Sequence, residues 1–160
     1  MSRFCLVLLL LALPAMAADF LPFGRDSRAA IARAHAGKPF VLAFWSVDCA
    51  YCTEELKQLD TLTSARPDLA LVLVCTDGAE MAHQASDMLA RQIPNARVER
   101  WMFDDSDPGR LYFAVDKKWH GELPRAYFYD AAGNVRVAAG QVDQRWLKEW
   151  AQSIAATAPK

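Results

Sequence analysis

The strongest pattern along the chain is a run of apolar residues that ends just before two cysteines. Residues 40–45 are continuously apolar, which suits a strand buried on both faces and is far too short to cross a membrane. Beyond the cysteines the period changes, because Leu56, Leu59 and Leu62 recur every three residues, as one face of a helix requires. The sequence therefore predicts a strand, a short turn and a helix, with Cys49 at the N-terminal end of that helix.

Similar apolar patterns predict strands and helices over the rest of the chain. Residues 69–74 form a second apolar run, and two buried strands joined through a helix make a right-handed βαβ unit with parallel strands. Residues 19–24 carry Pro22 and Gly24 and are predicted to be irregular. The order predicts a single α/β domain. Its other elements are a helix near residues 27–34, a helix carrying Met81, Ala85, Leu89 and Ile93, a short strand over 98–103, a helical turn over 110–114, two hairpin strands over 125–129 and 135–139, and a last helix capped at Asp143.

The first 18 residues have the pattern of a secretory signal peptide rather than of a domain. Arg3 precedes an apolar stretch over residues 4–13, and residues 15–17 read Ala-Met-Ala, a cleavage signature. A membrane anchor needs about 20 apolar residues, whereas this run stops at Pro14. We therefore expect a signal peptide over residues 1–18, a mature domain over residues 19–160, localisation to the periplasm, and no stable membrane anchor after cleavage.

Charge excludes some classes of partner. The chain has 18 Lys and Arg against 19 Asp and Glu, and loss of Arg3 with the signal peptide leaves a net charge of −2. Such a balance implies neither a nucleic-acid nor a membrane-surface partner. An acidic run over residues 104–109 lacks the ligand spacing of a calcium loop and is predicted to be a solvated turn.

The cysteines of the mature chain suggest redox chemistry. Cys5 is removed with the signal peptide, so Cys49, Cys52 and Cys75 remain, an odd number in a compartment where disulfides persist. We interpret them as one redox pair and one leftover thiol, with Cys75 buried at the end of its strand as a small apolar residue. No second C-x-x-C and no H-x-x-H completes a set of four zinc ligands, so no metal site is predicted.

The order of elements and a few specific residues resemble the thioredoxin fold. Trp45 stands four residues before Cys49, the C-x-x-C pair lies between a strand and a helix, and Leu123-Pro124 precedes a strand. Residues 45–55 and the long insertion between Cys75 and Pro124 are most similar to the TlpA-like periplasmic thiol-disulfide oxidoreductases. This resemblance implies a three-layer α/β/α sandwich with a central mixed sheet and an insertion before a cis-proline.

The resemblance also implies a role for individual residues. Cys49 is then the attacking thiol, Cys52 the resolving thiol, and Pro124 a cis-proline that faces them. A cis turn presents the backbone N–H and C=O of Leu123 to an extended substrate, which pairs as an added strand would. The other residues that we expect to contact substrate are Trp45, Tyr51 and Arg125.

Glu55 is the candidate for proton transfer with Cys52. Thioredoxins carry a buried aspartate six residues before the first cysteine, and Ala43 occupies that position in this chain. Glu55 lies three residues after Cys52, where TlpA-like proteins often have a glutamate. The alternative is that Glu55 is an ordinary surface residue of the helix.

The predicted activity is thiol-disulfide exchange without a cofactor. A helix terminus and Arg125 favour the Cys49 thiolate, and acidic neighbours such as Asp48 and Glu54 oppose it, which argues against a strong oxidant. We therefore expect a monomeric reductase of disulfide-bearing or thiol-bearing envelope proteins, supplied with electrons by a membrane donor. The alternatives are an oxidase or isomerase, and a copper metallochaperone that uses both cysteines with His120.

Overall fold

A six-stranded mixed sheet forms the centre of the computed structural model, which describes residues 20–95 and 97–156. The strands are β1 (Leu21–Phe23), β2 (Phe40–Trp45), β3 (Ala70–Cys75), β4 (Glu99–Phe103), β5 (Arg125–Tyr129) and β6 (Val135–Ala139), and the helices are α1 (Ser27–Ala34), α2 (Cys52–Ala65), α3 (Ala82–Gln92), α4 (Pro108–Val115) and α5 (Gln144–Ala156). A 3₁₀ turn, Ala79–Met81, leads into α3. The strand order across the sheet is β1-β4-β3-β2-β5-β6.

The pairing of the strands brings several strand ends to one edge of the sheet. Strand β2 pairs in parallel with β3, where Trp45 lies opposite Cys75, and antiparallel with β5, where Phe44 lies opposite Arg125. Strands β3 and β4 are also parallel. The chain therefore leaves β2, β3 and β4 at the same edge, which is where open α/β sheets usually bind ligands.

Both faces of the sheet are covered, so the molecule has three layers. Helices α2, α3 and α5 pack on one face, where Trp45 and Leu59 are fully buried, and helices α1 and α4 pack on the other, where Phe44 and Tyr127 are fully buried. Every residue of β2 is buried, as the continuous apolar run requires. The predicted α/β/α arrangement with a mixed sheet is confirmed.

Two predicted segments differ from the structure. Residues 21–23, predicted to be irregular, form β1 along β4, because the ring of Phe23 packs 5.5 Å from each of the rings of Phe44 and Phe103. The acidic run over 104–109 is a largely exposed turn only as far as Asp107: its last two residues begin α4, and Asp107 accepts a hydrogen bond from the Gly109 N–H at 3.0 Å and caps this helix. The predicted cap of the last helix is confirmed, since Asp143 accepts hydrogen bonds from the first amides of α5.

The N-terminal segment lies outside the described residues. The predicted signal peptide over residues 1–18 falls entirely in it, and so remains a prediction. Among residues 20–95 and 97–156, no helix has both the length and the apolar character needed to cross a bilayer.

Candidate redox site

The two cysteines of the C-x-x-C motif form a disulfide. Their Cα atoms are 5.3 Å apart, within the usual range for such a bond. Cys49 is half-buried, whereas Cys52 is only 1% exposed. A partner can therefore reach the sulfur of Cys49 and not that of Cys52. This asymmetry is what an attacking and a resolving cysteine need.

The helix begins later than predicted. Cys52 is the first residue of α2, and Cys49 lies in the preceding turn, where its N–H donates to the Ser46 carbonyl at 3.3 Å. The Cys49 carbonyl in turn accepts from the Cys52 N–H at 3.1 Å. The positive end of the α2 dipole therefore lies at Cys52 rather than at Cys49. Cys49 is in the turn just before this helix, so the dipole still favours a thiolate at Cys49.

The peptide bond between Leu123 and Pro124 is cis, as the resemblance implied. The Pro124 carbonyl accepts a hydrogen bond from the Gly140 N–H at 2.8 Å, which ties the turn to the chain that follows β6. Leu123 is half-buried and packs against both hydrophobic cores. It also lines a cavity together with Ser46, three residues before Cys49, so the cis turn lies beside the loop that carries the disulfide.

Glu55 is buried, and the alternative of a surface glutamate is wrong. Only 2% of the residue is exposed, because it lies on the face of α2 that packs inward. Its Oε2 atom accepts a hydrogen bond from the Val142 N–H at 2.9 Å, while Oε1 has no partner among the described residues. Burial raises the pKa of Glu55, and the bond from Val142 lowers it in part. One turn after Cys52, this carboxyl can hold a proton at a pH where a surface glutamate would be ionised.

Two residues predicted to contact substrate lie inside the protein instead. Trp45 has no exposed surface, and the guanidinium of Arg125 donates to the Tyr127 hydroxyl at 2.7 Å and to Asp116 Oδ2 at 2.6 Å. Arg125 points to the α1 and α4 face of the sheet, where it also lies over the ring of Trp119. These placements contradict a substrate contact for either residue, and they leave the positive charge of Arg125 paired with Asp116.

Tyr51 and Leu123 remain accessible to a partner. Tyr51 is 66% exposed between the two cysteines, and its carbonyl accepts from Gln141 Nε2 at 3.4 Å. Its exposure leaves a substrate contact open to it, which remains a prediction.

An acidic cavity beside the disulfide loop was missed from the sequence. It has a volume of about 760 Å³ and lies at the edge where β2, β3 and β4 end. None of the described residues that line it is basic, and its carboxylates are those of Asp77, Glu80, Asp104 and Asp105. The available signal was that Asp77 and Asp104 each follow a buried strand closely, and that the ends of parallel strands meet.

Cys75 is free and fully buried, as predicted. Its thiol donates a hydrogen bond to Asp77 Oδ2 at 3.3 Å, and burial raises its pKa far above the usual value, so it stays protonated. His120 is exposed. Within the described ranges, no three His, Cys, Asp or Glu residues are grouped closely enough to hold a metal ion.

Comparison with known proteins identifies the family. The sequence pattern of the AhpC/TSA family matches residues 16–138, most of the chain, and the protein therefore belongs to this thioredoxin-like family. A comparison with curated proteins finds no match.

Solved structures with the same fold include several thiol-disulfide proteins. DsbF of MTB, solved in mixed oxidised and reduced forms, is 21% identical with a TM-score of 0.59 over 76% of this chain and 84% of that chain. A secreted Mycobacterium tuberculosis disulfide oxidoreductase, described as homologous to E. coli DsbE, is 22% identical with a TM-score of 0.57 over 76% and 85%. A thiol:disulfide interchange protein of the thioredoxin family from Chlorobium tepidum is 15% identical with a TM-score of 0.60 over 77% and 83%. These likenesses confirm the thioredoxin-like fold.

Proposed function

We propose that this protein is a thiol-disulfide oxidoreductase that acts outside the cytoplasm and reduces disulfides of partner proteins through Cys49 and Cys52. The observation that carries the proposal is the disulfide itself, with one reachable and one buried sulfur beside a cis-proline turn. The disulfide oxidoreductases among the similar structures support the activity, and the secreted one supports the location.

The reaction begins with both cysteines reduced. The Cys49 thiolate attacks one sulfur of the partner's disulfide, forms a mixed disulfide, and releases the partner's other sulfur as a thiolate. Cys52 then loses its proton and attacks the Cys49 sulfur, which breaks the mixed disulfide and releases the second partner thiolate. Two electrons pass to the partner, its two thiolates take up two protons, and the protein is left with the disulfide seen in the structure.

Glu55 supplies the proton acceptor that the second step needs. Cys52 has almost no contact with solvent, so water cannot readily take its proton. Residues three apart on a helix share a face, and Glu55 stands in that relation to Cys52 with one oxygen unpartnered among the described residues. The carboxylate accepts the proton from Cys52 as Cys52 attacks, and passes it to solvent after release.

The partner segment lies extended along the cis turn. The backbone of Leu123 pairs with this segment as with an added strand, and the exposed ring of Tyr51 covers the partner's cysteine that is being reduced. We expect the partners to be envelope proteins with accessible disulfides, a membrane protein to restore the dithiol, and the domain to act as a monomer.

Electrostatics favours reduction over oxidation. A group that stabilises the Cys49 thiolate makes the disulfide more oxidising. Arg125 is paired with Asp116 on the far face of the sheet, and the cavity beside the Cys49 loop carries only acidic charge. None of these groups is a cationic partner for the Cys49 thiolate. The reduced form is therefore not stabilised relative to the disulfide, which favours a protein that gives up electrons, a reductant.

The reduction potential tests the direction of the reaction. We expect a value between about −200 and −270 mV, the range of glutaredoxins and thioredoxin, from equilibration with glutathione buffers. We also expect the reduced protein to reduce insulin. A potential near about −120 mV, the value of DsbA, would contradict the proposal and favour an oxidase. Rescue of scrambled disulfides without net reduction would favour an isomerase. Stoichiometric copper binding by the dithiol would favour a metallochaperone.

A further inference from the structure

The loop that carries Cys49 is held by the chain that follows β3. The Trp45 carbonyl, at the end of β2, accepts from the Thr76 N–H at 2.8 Å and from the Thr76 hydroxyl at 3.3 Å. The next contact reaches into the loop, where the Val47 N–H donates to Asp77 Oδ2 at 2.7 Å. Val47 lies two residues before Cys49, so this bond restrains the backbone that presents the reachable sulfur.

Asp77 is itself held in place by a second donor. The buried Cys75 thiol donates to the same oxygen, Oδ2, at 3.3 Å. Cys75 lies in β3 opposite Trp45 and has no exposed surface, so the donor is fixed by the sheet. The carboxylate thus accepts one bond from the rigid strand and one from the loop, and couples the loop to the sheet.

We propose that Asp77 is a positioning residue for disulfide exchange, which holds the loop of residues 46–48 so that Cys49 is presented to the partner, and that Cys75 orients Asp77. The inference rests on the proposed function. Cys75, the third cysteine, then has a role in which its sulfur is neither oxidised nor reduced. Hydrogen bonds to a charged acceptor are stronger than those between neutral groups, so this single contact is suited to select one loop conformation.

A matched pair of substitutions isolates the hydrogen bond from the charge. Asp77→Asn removes the charge and keeps an oxygen that can accept from Val47, whereas Asp77→Ala removes both. The measurement is the second-order rate constant of the reduced protein with glutathione disulfide, at a pH high enough that Cys49 is a thiolate in every variant. We expect Asp77→Ala to react about tenfold more slowly than Asp77→Asn, because the alanine variant loses the hydrogen bond from the Val47 N–H that the asparagine variant keeps.

A second pair in the same cavity serves as the control. Asp104 also lines the cavity, and its backbone N–H donates to the Phe23 carbonyl at 3.1 Å, but its side chain makes no hydrogen bond or ion pair with another of the described residues. Asp104→Asn and Asp104→Ala should therefore react at the same rate. Equal rates for the two Asp77 variants would overturn the inference, and so would an equal loss in the Asp104 pair.

The orienting role of Cys75 provides a further test if Asp77→Ala shows no cooperative thermal unfolding. Cys75→Ser keeps an O–H donor, and Cys75→Ala removes it. We expect the alanine variant to be about threefold slower in the same assay, a smaller effect than at Asp77 because Cys75 acts on the loop only through Asp77. Equal rates would overturn the inference. If the reduced wild-type protein does not react with the disulfide at all, the proposed function fails instead.

Discussion

A Cys52→Ala protein should accumulate as a covalent complex with its partners, whereas a Cys49→Ala protein should form none. The reason is burial, since a partner can reach the half-buried Cys49 and cannot reach Cys52, which is 1% exposed. Without Cys52 the mixed disulfide on Cys49 has no internal thiol to resolve it. The complexes would be separated by non-reducing electrophoresis of whole cells and the attached proteins identified by mass spectrometry.

Cys75→Ala is the matched control for this experiment. Cys75 is a third thiol in the same domain, fully buried and kept protonated, and a variant that lacks it in addition to Cys52 should trap the same partners. Covalent complexes on the Cys49→Ala protein would contradict the assignment of Cys49 as the attacking residue. They would show that Cys52 is reachable despite its burial.

Replacing Glu55 with glutamine should slow the resolving step about a hundredfold, the lower end of the effect of a general base. With an aromatic disulfide that releases a coloured thiolate, the first release reports attack by Cys49 and the second reports attack by Cys52. The second release should slow in Glu55→Gln, while the first should not. In the wild-type protein the second release should rise with pH as Glu55 ionises, at a pH above that of an ordinary glutamate, because burial raises the pKa of Glu55.

Glu54→Gln is the control for charge without burial. Glu54 is the neighbouring residue on α2, but it is exposed, and we expect the second release to keep its wild-type rate in this variant. An unchanged second release in Glu55→Gln would remove Glu55 from the mechanism. Water would then have to reach Cys52 in the mixed disulfide.

The raised pKa of Glu55 also has a consequence for stability. A carboxyl with a folded-state pKa above its unfolded value stabilises the fold below the unfolded pKa, near 4.5, and this contribution is lost as the pH rises through the folded pKa. Urea unfolding should therefore show that Glu55→Gln gains stability relative to the wild type between pH 4 and pH 8. A constant difference over this range would mean that the buried carboxyl does not titrate there.

The strand, the turn and the helix around the cysteines could be predicted because each has a strong local pattern. Six continuous apolar residues require burial on both faces, and a three-residue leucine period requires a helix. The same continuity hides direction, since a strand buried on both faces has no polar positions to show which side chain joins which core. Trp45 was misplaced for this reason. Arg125 was misplaced because its charge is buried through a pairing with Asp116, a contact that the pattern of its own strand does not show.

Other features depended on contacts between distant parts of the chain. Strand β1 has three residues, and only Phe23 is buried, so its local pattern carries almost no signal. The bond between Asp77 and Val47 joins residues 30 apart and exists only because β2 and β3 end at the same edge. The position of the Asp77 carboxylate beside the loop could be predicted once the topology is known. It could not be predicted from the sequence around Asp77, where Asp-Gly indicates only a turn.

Strand β2, which leads to the disulfide, is bonded on one side to β3 and on the other to β5, and all six of its residues are buried. Strands in this position separate from their neighbours only when the whole domain unfolds, whereas edge strands such as β1 and β6 fray at much lower cost. Partial melting of β1 or of β6 should therefore leave the cysteine pair intact. Heat that loosens only the edge strands would leave the disulfide in place until β2 itself separates from β3 and β5.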